Sequence, residues 1–113
     1  MKSRIDHIAI KVDNLKEAEN WYVNYTGGEV TYRDEKYLRL QMDNVVIALI
    51  DKKFYPWEHI SIWVESDDEL PHHLGETINH RDGSIGVYVK DPFGNYLEYI
   101  WYNEELRERF YRD

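Results

Sequence analysis

Apolar and polar residues alternate along two stretches of the chain that are nearly copies of each other. The first reads DHIAIKV at residues 6–12, and the second, 52 residues further on, reads EHISIWV at residues 58–64. A period of two predicts a strand whose isoleucines and valine face a core, with the histidine on the opposite face. Because the copies recur at a fixed spacing, the sequence predicts two equivalent halves.

The first half is predicted to run strand, helix, and three further strands. Apolar residues at a spacing of three to four, after the capping residues Asp13-Asn14, predict a helix that Gly27-Gly28 ends. Its apolar stripe is Leu15, Ala18, Trp21, Tyr22 and Tyr25. The strands are expected at Ile5 to Val12, Glu29 to Tyr32, Lys36 to Met42 and Val45 to Ile50, with Asp43-Asn44 as a hairpin turn.

Residues 51–57 are predicted to form an exposed linker, after which the same order begins again. Ser66 with Glu69 resembles a capping box, but Pro71 and Gly75 restrict the following helix to one or two turns. The strands of the second half are expected at His59 to Val64, Glu76 to Asn79, Ser84 to Lys90 and Asn95 to Tyr102. Residues 103–113 are expected to form a short amphipathic helix or a frayed end.

The turn between the last two strands fixes which residues share a face. Asp91-Pro92-Phe93-Gly94-Asn95 suits a three-residue loop, with proline at the first turn position and glycine in the left-handed position. Asp91 then pairs with Asn95, and counting back along both strands sets Tyr88 opposite Glu98. A four-residue loop would instead move Tyr88 to the other face.

Composition narrows the classes of function. The chain has 113 residues, 42% of them hydrophobic and 15% aromatic, which predicts one folded domain of residues 1–113. A formal charge of −8 argues against nucleic acid or an anionic membrane as a partner. The absence of cysteine and of any run of 18 apolar residues leads us to expect a cytoplasmic protein.

Three residues form the candidate site: His7, His59 and Glu98. Two neutral imidazoles and one carboxylate, with further positions left to water or substrate, suit Fe²⁺, Mn²⁺, Zn²⁺ or Ni²⁺. One histidine on a strand is usually structural. Packing alone, however, has no reason to select histidine twice at equivalent positions beside a glutamate that interrupts an apolar strand.

The motifs DHIAIKV, EHISIWV and DPFGNYLEY resemble the vicinal oxygen chelate superfamily, which includes glyoxalase I, extradiol dioxygenases, fosfomycin-resistance transferases and bleomycin-resistance proteins. The resemblance implies an α+β glyoxalase-like fold, in which two βαβββ repeats, residues 5–50 and 58–102, form a curved, cup-like mixed sheet. It places a metal in the cup on His7, His59 and Glu98. It also implies a homodimer, in which one site can take His7 from one subunit and the other two ligands from its partner.

Departures from the individual members argue against two activities. Glyoxalase I has a fourth, carboxylate ligand where this chain has Ile47 or Ala48. Fosfomycin-resistance transferases have a threonine where this chain has Ala9, and their potassium loop is not recognisable in residues 78–84. Extradiol dioxygenases fit better, because they have a tyrosine at the position of Tyr88. They also need an acid–base histidine, and His80 lies close to one such place.

Other polar and aromatic residues have competing interpretations. Ser61 and Trp63 share the His59 face and are candidates to line a substrate cavity. Trp63 has a second interpretation, in which it simply fills the cup. His72 and His73 are expected to be solvated. Arg39 and Gln41 either point into the cup as polar substrate contacts or, as we expect, point to solvent. The acids Asp6 and Glu58 point away from the neighbouring histidines, so they are not expected to support a metal.

The sequence therefore predicts a metal-dependent enzyme that chelates two neighbouring oxygens of a small organic substrate, with dioxygenase-like or lyase/isomerase-like chemistry. Tyr88 is the candidate for hydrogen bonding or proton transfer to the substrate. The expected substrate-lining residues are Ala9, Val46, Ala48, Ser61, Trp63 and Tyr96. A metal-free protein of the bleomycin-resistance type, which sequesters a small molecule, is the alternative, and an interaction module without chemistry is a third.

Overall fold

The two copied stretches form strands, as their alternation predicts. The structure, a computed structural model, describes residues 4–110, and the side chain of residue 110 lies outside that description. The elements are β1 (Ile5–Val12), α1 (Leu15–Thr26), β2 (Glu29–Arg33), β3 (Tyr37–Gln41), β4 (Val46–Asp51), β5 (His59–Trp63), a 3₁₀ turn (Asp67–Glu69), β6 (Glu76–Asn79), β7 (Ile85–Lys90), β8 (Tyr96–Trp101) and α2 (Glu104–Phe110).

Helix α1 begins and ends at the residues that the sequence predicts. The Asn14 side chain accepts a hydrogen bond from the backbone N–H of Glu17, so Asn14 is the cap of the predicted pair. At the other end Gly27 has φ of 74°, the left-handed conformation that glycine tolerates best, and its N–H bonds to the Val23 carbonyl. The apolar stripe of the helix packs on the leucine cluster of Leu38, Leu40 and Leu49.

The helix expected in the second half is only the 3₁₀ turn Asp67–Glu69. The Glu69 carboxylate accepts the Ser66 N–H, so the predicted capping interaction forms. Proline at position 71 disfavours helical backbone at Leu70, which is extended, with ψ of 125°. Leu70 is buried against Val64 and Val87 instead.

Clustering of backbone contacts divides the chain into two units, and strands β1 and β5 contribute residues to both. The first, here called the histidine unit, is His7–Ile60. Its strand order is β2-β3-β4-β1, with β1 parallel to β4 and the other neighbours antiparallel. One face of this sheet carries the leucine cluster and α1.

The second unit, here called the glutamate unit, comprises the described residues of Met1–Asp6 and Ser61–Asp113. Its strand order is β5-β8-β7-β6, and the β6–β7 and β7–β8 pairs are antiparallel. Ile100, Tyr102 and Leu106 form a buried cluster, so α2 packs through Leu106. The last three residues of the predicted C-terminal segment lie outside the described residues.

The predicted fold class, α+β with two related repeats in a mixed parallel and antiparallel sheet, is confirmed. The repeats differ in the helix that follows their first strand, which is regular in the first and reduced to the 3₁₀ turn in the second. Across residues 4–110, neither helix has the length and the apolar composition needed to cross a membrane.

Candidate metal centre

Two of the three predicted metal ligands meet in the histidine unit. The imidazole rings of His7 on β1 and His59 on β5 are in edge-to-face contact, with centroids 5.5 Å apart and an interplanar angle of 75°. Both side chains are buried, with 7% and 8% of their residue surface exposed. Imidazole nitrogens are common ligands of divalent metals, so the pair is suited to metal binding.

Backbone geometry selects the ring nitrogen that His59 can offer. Its Nδ1 lies 3.1 Å from the carbonyl oxygen of Trp57. A carbonyl only accepts, so Nδ1 carries the proton and Nε2 carries the lone pair. A hydrogen bond from one imidazole nitrogen to a backbone carbonyl is the usual arrangement in metal-binding histidines, since it orients the ring toward the ion.

The remaining first-half candidates line the same face of the sheet as His7. In the β1–β4 register Val46 lies beside His7 and Ala48 beside Ala9. Ile47 lies on the opposite face, so Ala48 is the residue at the position where glyoxalase I has its fourth ligand. Ala9, Ala48 and Ile50 form a buried cluster with Tyr37 and Tyr55 against it.

The expectation that Arg39 is solvated is wrong. Arg39 is 2% exposed and pairs with Ala48 in the β3–β4 register, on the face that carries His7. Strand β3 is buried on both faces, because Leu38 and Leu40 face the leucine cluster while Arg39 faces the two alanines. Alternation therefore does not separate a core face from a solvent face here. Gln41, also expected in solvent, is partly buried.

The third predicted ligand, Glu98, is buried in the glutamate unit on β8, with 1% of its surface exposed. Ser61 Oγ donates to Glu98 Oε1 at 3.0 Å, and His80 Nε2 lies 2.5 Å from Glu98 Oε2. Each carboxylate oxygen thus has a hydrogen-bond partner. Ser61 is fully buried, so the predicted substrate-lining residue is in contact with the predicted metal ligand.

The three-residue turn predicted between β7 and β8 forms. Gly94 has φ of 91°, and the backbone of Asp91 pairs with that of Asn95. Tyr88 consequently lies opposite Glu98 in the register. Its ring is 6.2 Å from the His80 ring, centroid to centroid, in an edge-to-face arrangement. Tyr88 is partly buried, and its register position places it beside the buried carboxylate.

Trp63 and Tyr96, both predicted to line a substrate cavity, have other neighbours as well. Trp63 packs against the cluster of Ile100, Tyr102 and Leu106, and the Arg4 and Arg107 guanidinium carbons lie 5.3 and 4.8 Å from its ring. The Lys90 ammonium lies 5.9 Å from the Tyr96 ring. Their substrate roles stay predictions.

The other histidines and acids named from the sequence differ in surroundings. His72 and His73 are exposed, as expected, and His72 Nδ1 lies 2.7 Å from Thr77 Oγ1. The acids that precede the two metal histidines have separate partners: the Tyr102 hydroxyl donates to Asp6, and Glu58 accepts the Lys11 N–H.

The resolved pKa shifts belong to surface groups outside the site. In the histidine unit, a hydrogen bond from Lys52 lowers the pKa of Asp13, and the same bond raises the pKa of Lys52. In the glutamate unit, the Asn95 N–H lowers the pKa of Asp91. These groups are exposed, so the shifts bear on surface charge rather than on the metal centre.

His7 and His59 offer imidazole nitrogens in the histidine unit, and Glu98 offers a carboxylate in the glutamate unit. All three residues are buried, and the set combines two imidazoles with one carboxylate. Such a set suits a first-row divalent metal that keeps open positions for other ligands. The residues therefore fit the group that the sequence resemblance implies.

Sequence reasoning did not single out Gly86, whose position bears on this site. A Cβ built at Gly86 would lie 2.8 Å from His80 Nε2 and closer still to Glu98 Oε2. The sequence signal was a glycine inside the otherwise apolar strand β7, a feature that often marks a close approach of another group. Arg39 gave no such signal, because one charged residue in an alternating strand looks like a solvent-facing residue.

No protein-family model and no curated protein matches the sequence. Among solved structures, methylmalonyl-CoA epimerase from Mycobacterium tuberculosis is 18% identical with a TM-score of 0.75, over 91% of this chain and 90% of that one. A glyoxalase/bleomycin resistance protein/dioxygenase superfamily member from Vibrio splendidus is 15% identical with a TM-score of 0.64, over 89% of this chain and 100% of that one.

The E323L variant of homoprotocatechuate 2,3-dioxygenase from Brevibacterium fuscum is 19% identical with a TM-score of 0.62, over 87% of this chain and 32% of that one. At these identities the likeness establishes the fold alone. The resemblance drawn from the sequence motifs is thus confirmed at the level of a glyoxalase-like fold.

Proposed function

We propose that this protein is a metal-dependent enzyme in which His7, His59 and Glu98 hold one divalent ion, Fe²⁺, Mn²⁺, Zn²⁺ or Ni²⁺. When bound, the ion would act as a Lewis acid toward two neighbouring oxygens of a small organic substrate or, as Fe²⁺, would supply oxygen chemistry. Three protein ligands leave coordination positions for those oxygens.

The observation that carries the proposal is the chemistry of three buried side chains, which are the edge-to-face pair of His7 and His59 in the histidine unit and Glu98 in the glutamate unit. The orientation of His59 supports it, because the Nδ1 proton on the Trp57 carbonyl leaves Nε2 as the ligand atom. The histidines are neutral ligands and Glu98 is anionic, so the site would hold a divalent cation with a net charge of +1. That residual charge favours a substrate that binds as an anion.

Tyr88 is proposed as the group that donates a hydrogen bond to the substrate or moves a proton at its hydroxyl. It lies opposite Glu98 in the β7–β8 register and is partly buried. The small side chains of Ala9 and Ala48, beside Val46, would leave room for substrate on the His7 face. Ser61, Trp63 and Tyr96 are proposed to line the remainder of the cavity.

Solved proteins with this fold include an epimerase of methylmalonyl-CoA and a 2,3-dioxygenase of homoprotocatechuate. Both names describe organic anions, and we propose an organic anion as the substrate. The absence of a carboxylate at Ala48 argues against glyoxalase I activity. Homodimer formation and a cytoplasmic location are retained as part of the proposal.

The test is elemental analysis of the untagged protein after reconstitution with Fe²⁺, Mn²⁺, Zn²⁺ and Ni²⁺ in separate samples. We expect about one equivalent of one metal per chain, and its loss in His59→Ala. His72→Ala is the matched control, since His72 is an exposed histidine bonded to Thr77. No stoichiometric metal in the folded wild-type protein would contradict the proposal and favour metal-free binding of a small molecule.

A further inference from the structure

We infer that His80 is a positioning residue for Glu98, and that Gly86 exists as glycine to admit their contact. The inference rests on the proposed metal site and concerns the orientation of its single carboxylate. His80 follows β6, Gly86 lies within β7 and Glu98 lies on β8, so three successive segments of the glutamate unit contribute.

The hydrogen-bond geometry defines the role. His80 Nε2 lies 2.5 Å from Glu98 Oε2, while Ser61 Oγ donates to Oε1 from the other side. An ionised carboxylate only accepts, so His80 Nε2 must carry a proton. Two donors, one on each oxygen, hold the carboxylate in one orientation.

His80 supports the ligand and is not itself a ligand. Its Nε2 is committed to Glu98. The side chain is mostly enclosed, with 16% of its surface exposed, whereas the Glu98 side chain is 1% exposed. A hydrogen bond shielded from water in this way is stronger than one at the surface.

Gly86 supplies the space in which the contact forms. Any side chain there would begin with a Cβ 2.8 Å from His80 Nε2 and closer to Glu98 Oε2. Gly86 pairs with Ile78 on one side and Ile100 on the other, so the strand backbone is held in place by both neighbours. The clash could therefore be relieved only by moving the two polar side chains apart.

The structure thus assigns a hydrogen-bonding partner to the metal carboxylate, as metal ligands commonly require. Removing such a partner typically reduces metal affinity by about 10-fold to 100-fold. The expected effect of His80→Ala is a loss of that size. His80→Gln should restore most of the affinity, because an amide N–H can occupy the position of imidazole Nε2.

The experiment measures the affinity of Zn²⁺ by competition calorimetry in the full-length wild type, His80→Ala, His80→Gln and the control His72→Ala. In parallel, ¹⁵N-edited spectra of the metal-free protein report which His80 nitrogen carries the proton. We expect the Nε2–H form in the wild type and a changed His80 signal in Glu98→Gln. The thermal midpoint of each metal-free variant separates a folding defect from a loss of ligand orientation.

The outcomes separate this inference from the proposed function. If the wild type binds no metal, the proposed function fails and this inference fails with it. If the wild type binds metal and folded His80→Ala binds it equally well, only the inference fails. A weakened His80→Ala without recovery in His80→Gln, or a His80 whose Nε2 lacks a proton, also overturns it. Weakened binding in His80→Ala, recovery in His80→Gln and an unchanged His72→Ala support it.

Discussion

The two repeats place different residues at equivalent positions of the same strand framework. In the histidine unit one row across the sheet is Ala9, Ala48 and Arg39, as the β1–β4 and β3–β4 registers show. In the glutamate unit the corresponding row is Ser61, Glu98 and Tyr88, joined by the Ser61–Glu98 hydrogen bond and the Tyr88–Glu98 register. The duplicated strands supply two histidines, but only the second row supplies an acid.

This difference explains how a duplicated architecture yields one asymmetric centre. Ala48 cannot bind a metal, and the residue beside it in the first repeat is a buried cation. Glu98 has instead a serine donor where the first repeat has Ala9. The second row therefore holds a hydrogen-bonded carboxylate, whereas the first holds two small side chains beside a buried positive charge.

The largest effect should come from filling the space that Gly86 leaves. Tyr37 and Gly86 occupy equivalent positions in the two repeats, each two residues before the row compared above. Tyr37 pairs with Ile50, and Gly86 pairs with Ile100. Gly86→Ala should displace Glu98 from His80 and lower Zn²⁺ affinity by at least about 100-fold. Tyr37→Phe at the counterpart position should leave the affinity unchanged. Calorimetric titration of both variants checks this, and equal affinities would contradict it.

The next largest effect concerns the cores. Leu49 is fully buried under α1, and Leu49→Ala should lower the free energy of unfolding by about 3 kcal/mol, since it leaves a cavity. Val87, equally buried in the other unit, loses fewer carbon atoms, and Val87→Ala should cost about 2 kcal/mol. Urea denaturation of both variants measures these values. An unchanged midpoint for Leu49→Ala would show that the site collapses around the smaller side chain.

A smaller effect should distinguish the two caps. Asn14→Ala removes the side-chain acceptor for the Glu17 N–H at the start of a 12-residue helix and should cost about 1 kcal/mol. Ser66→Ala acts only on a three-residue turn and should cost about half as much. Thermal and urea unfolding of the two variants test the ranking. A larger loss of unfolding free energy for Ser66→Ala than for Asn14→Ala would contradict this ranking.

The smallest effect is a pH dependence at the β7–β8 turn. The N–H groups of Asn95 and Phe93 donate to Asp91 and hold its pKa below the ordinary value of 3.8. The stabilisation is therefore fully present above that value and is lost as the pH falls through the lower pKa of the folded protein. Asp91→Asn should reduce the thermal midpoint at neutral pH, and its difference from wild type should shrink under acid.

Asp43→Asn provides the control at the corresponding turn of the first repeat. Asp43 accepts no side-chain hydrogen bond among residues 4–110, so this change should give no such pH-dependent difference. A difference between wild type and Asp91→Asn that is constant over the acid range would contradict the role of the carboxylate.

Most of the fold follows from short-range patterns in the sequence. Strand β1 has the predicted bounds, α1 has the predicted cap and ending glycine, and the turn through Gly94 gives the predicted pairing of Tyr88 with Glu98. These features depend on neighbours in the chain, which is why periodicity and turn residues predict them. The helix of the second repeat, predicted to have one or two turns, is a single 3₁₀ turn. It ends at Glu69 because Pro71 already disfavours helical backbone at Leu70.

The proposed ligands could be named from the sequence, but their surroundings could not. His7, His59 and Glu98 could be identified because the repeat marks two of them and a broken apolar pattern marks the third. The contact of His80 with Glu98 depends on strand register across β6, β7 and β8 and on an absent side chain at position 86. The burial of Arg39 depends on what covers β3 from both sides. Neither is encoded in a local pattern.

The connectivity of the glutamate unit has a consequence for synthesis on the ribosome. Its described residues include Arg4–Asp6, and the Tyr102 hydroxyl donates to Asp6 across 96 residues of sequence. The backbone of Arg4 likewise accepts the Trp63 N–H. A nascent chain can form local strand pairs and α1 early, but it cannot complete this unit until nearly all its residues have emerged. Residues 4–6 therefore leave the ribosome before the rest of this unit but are among the last to reach their final partners.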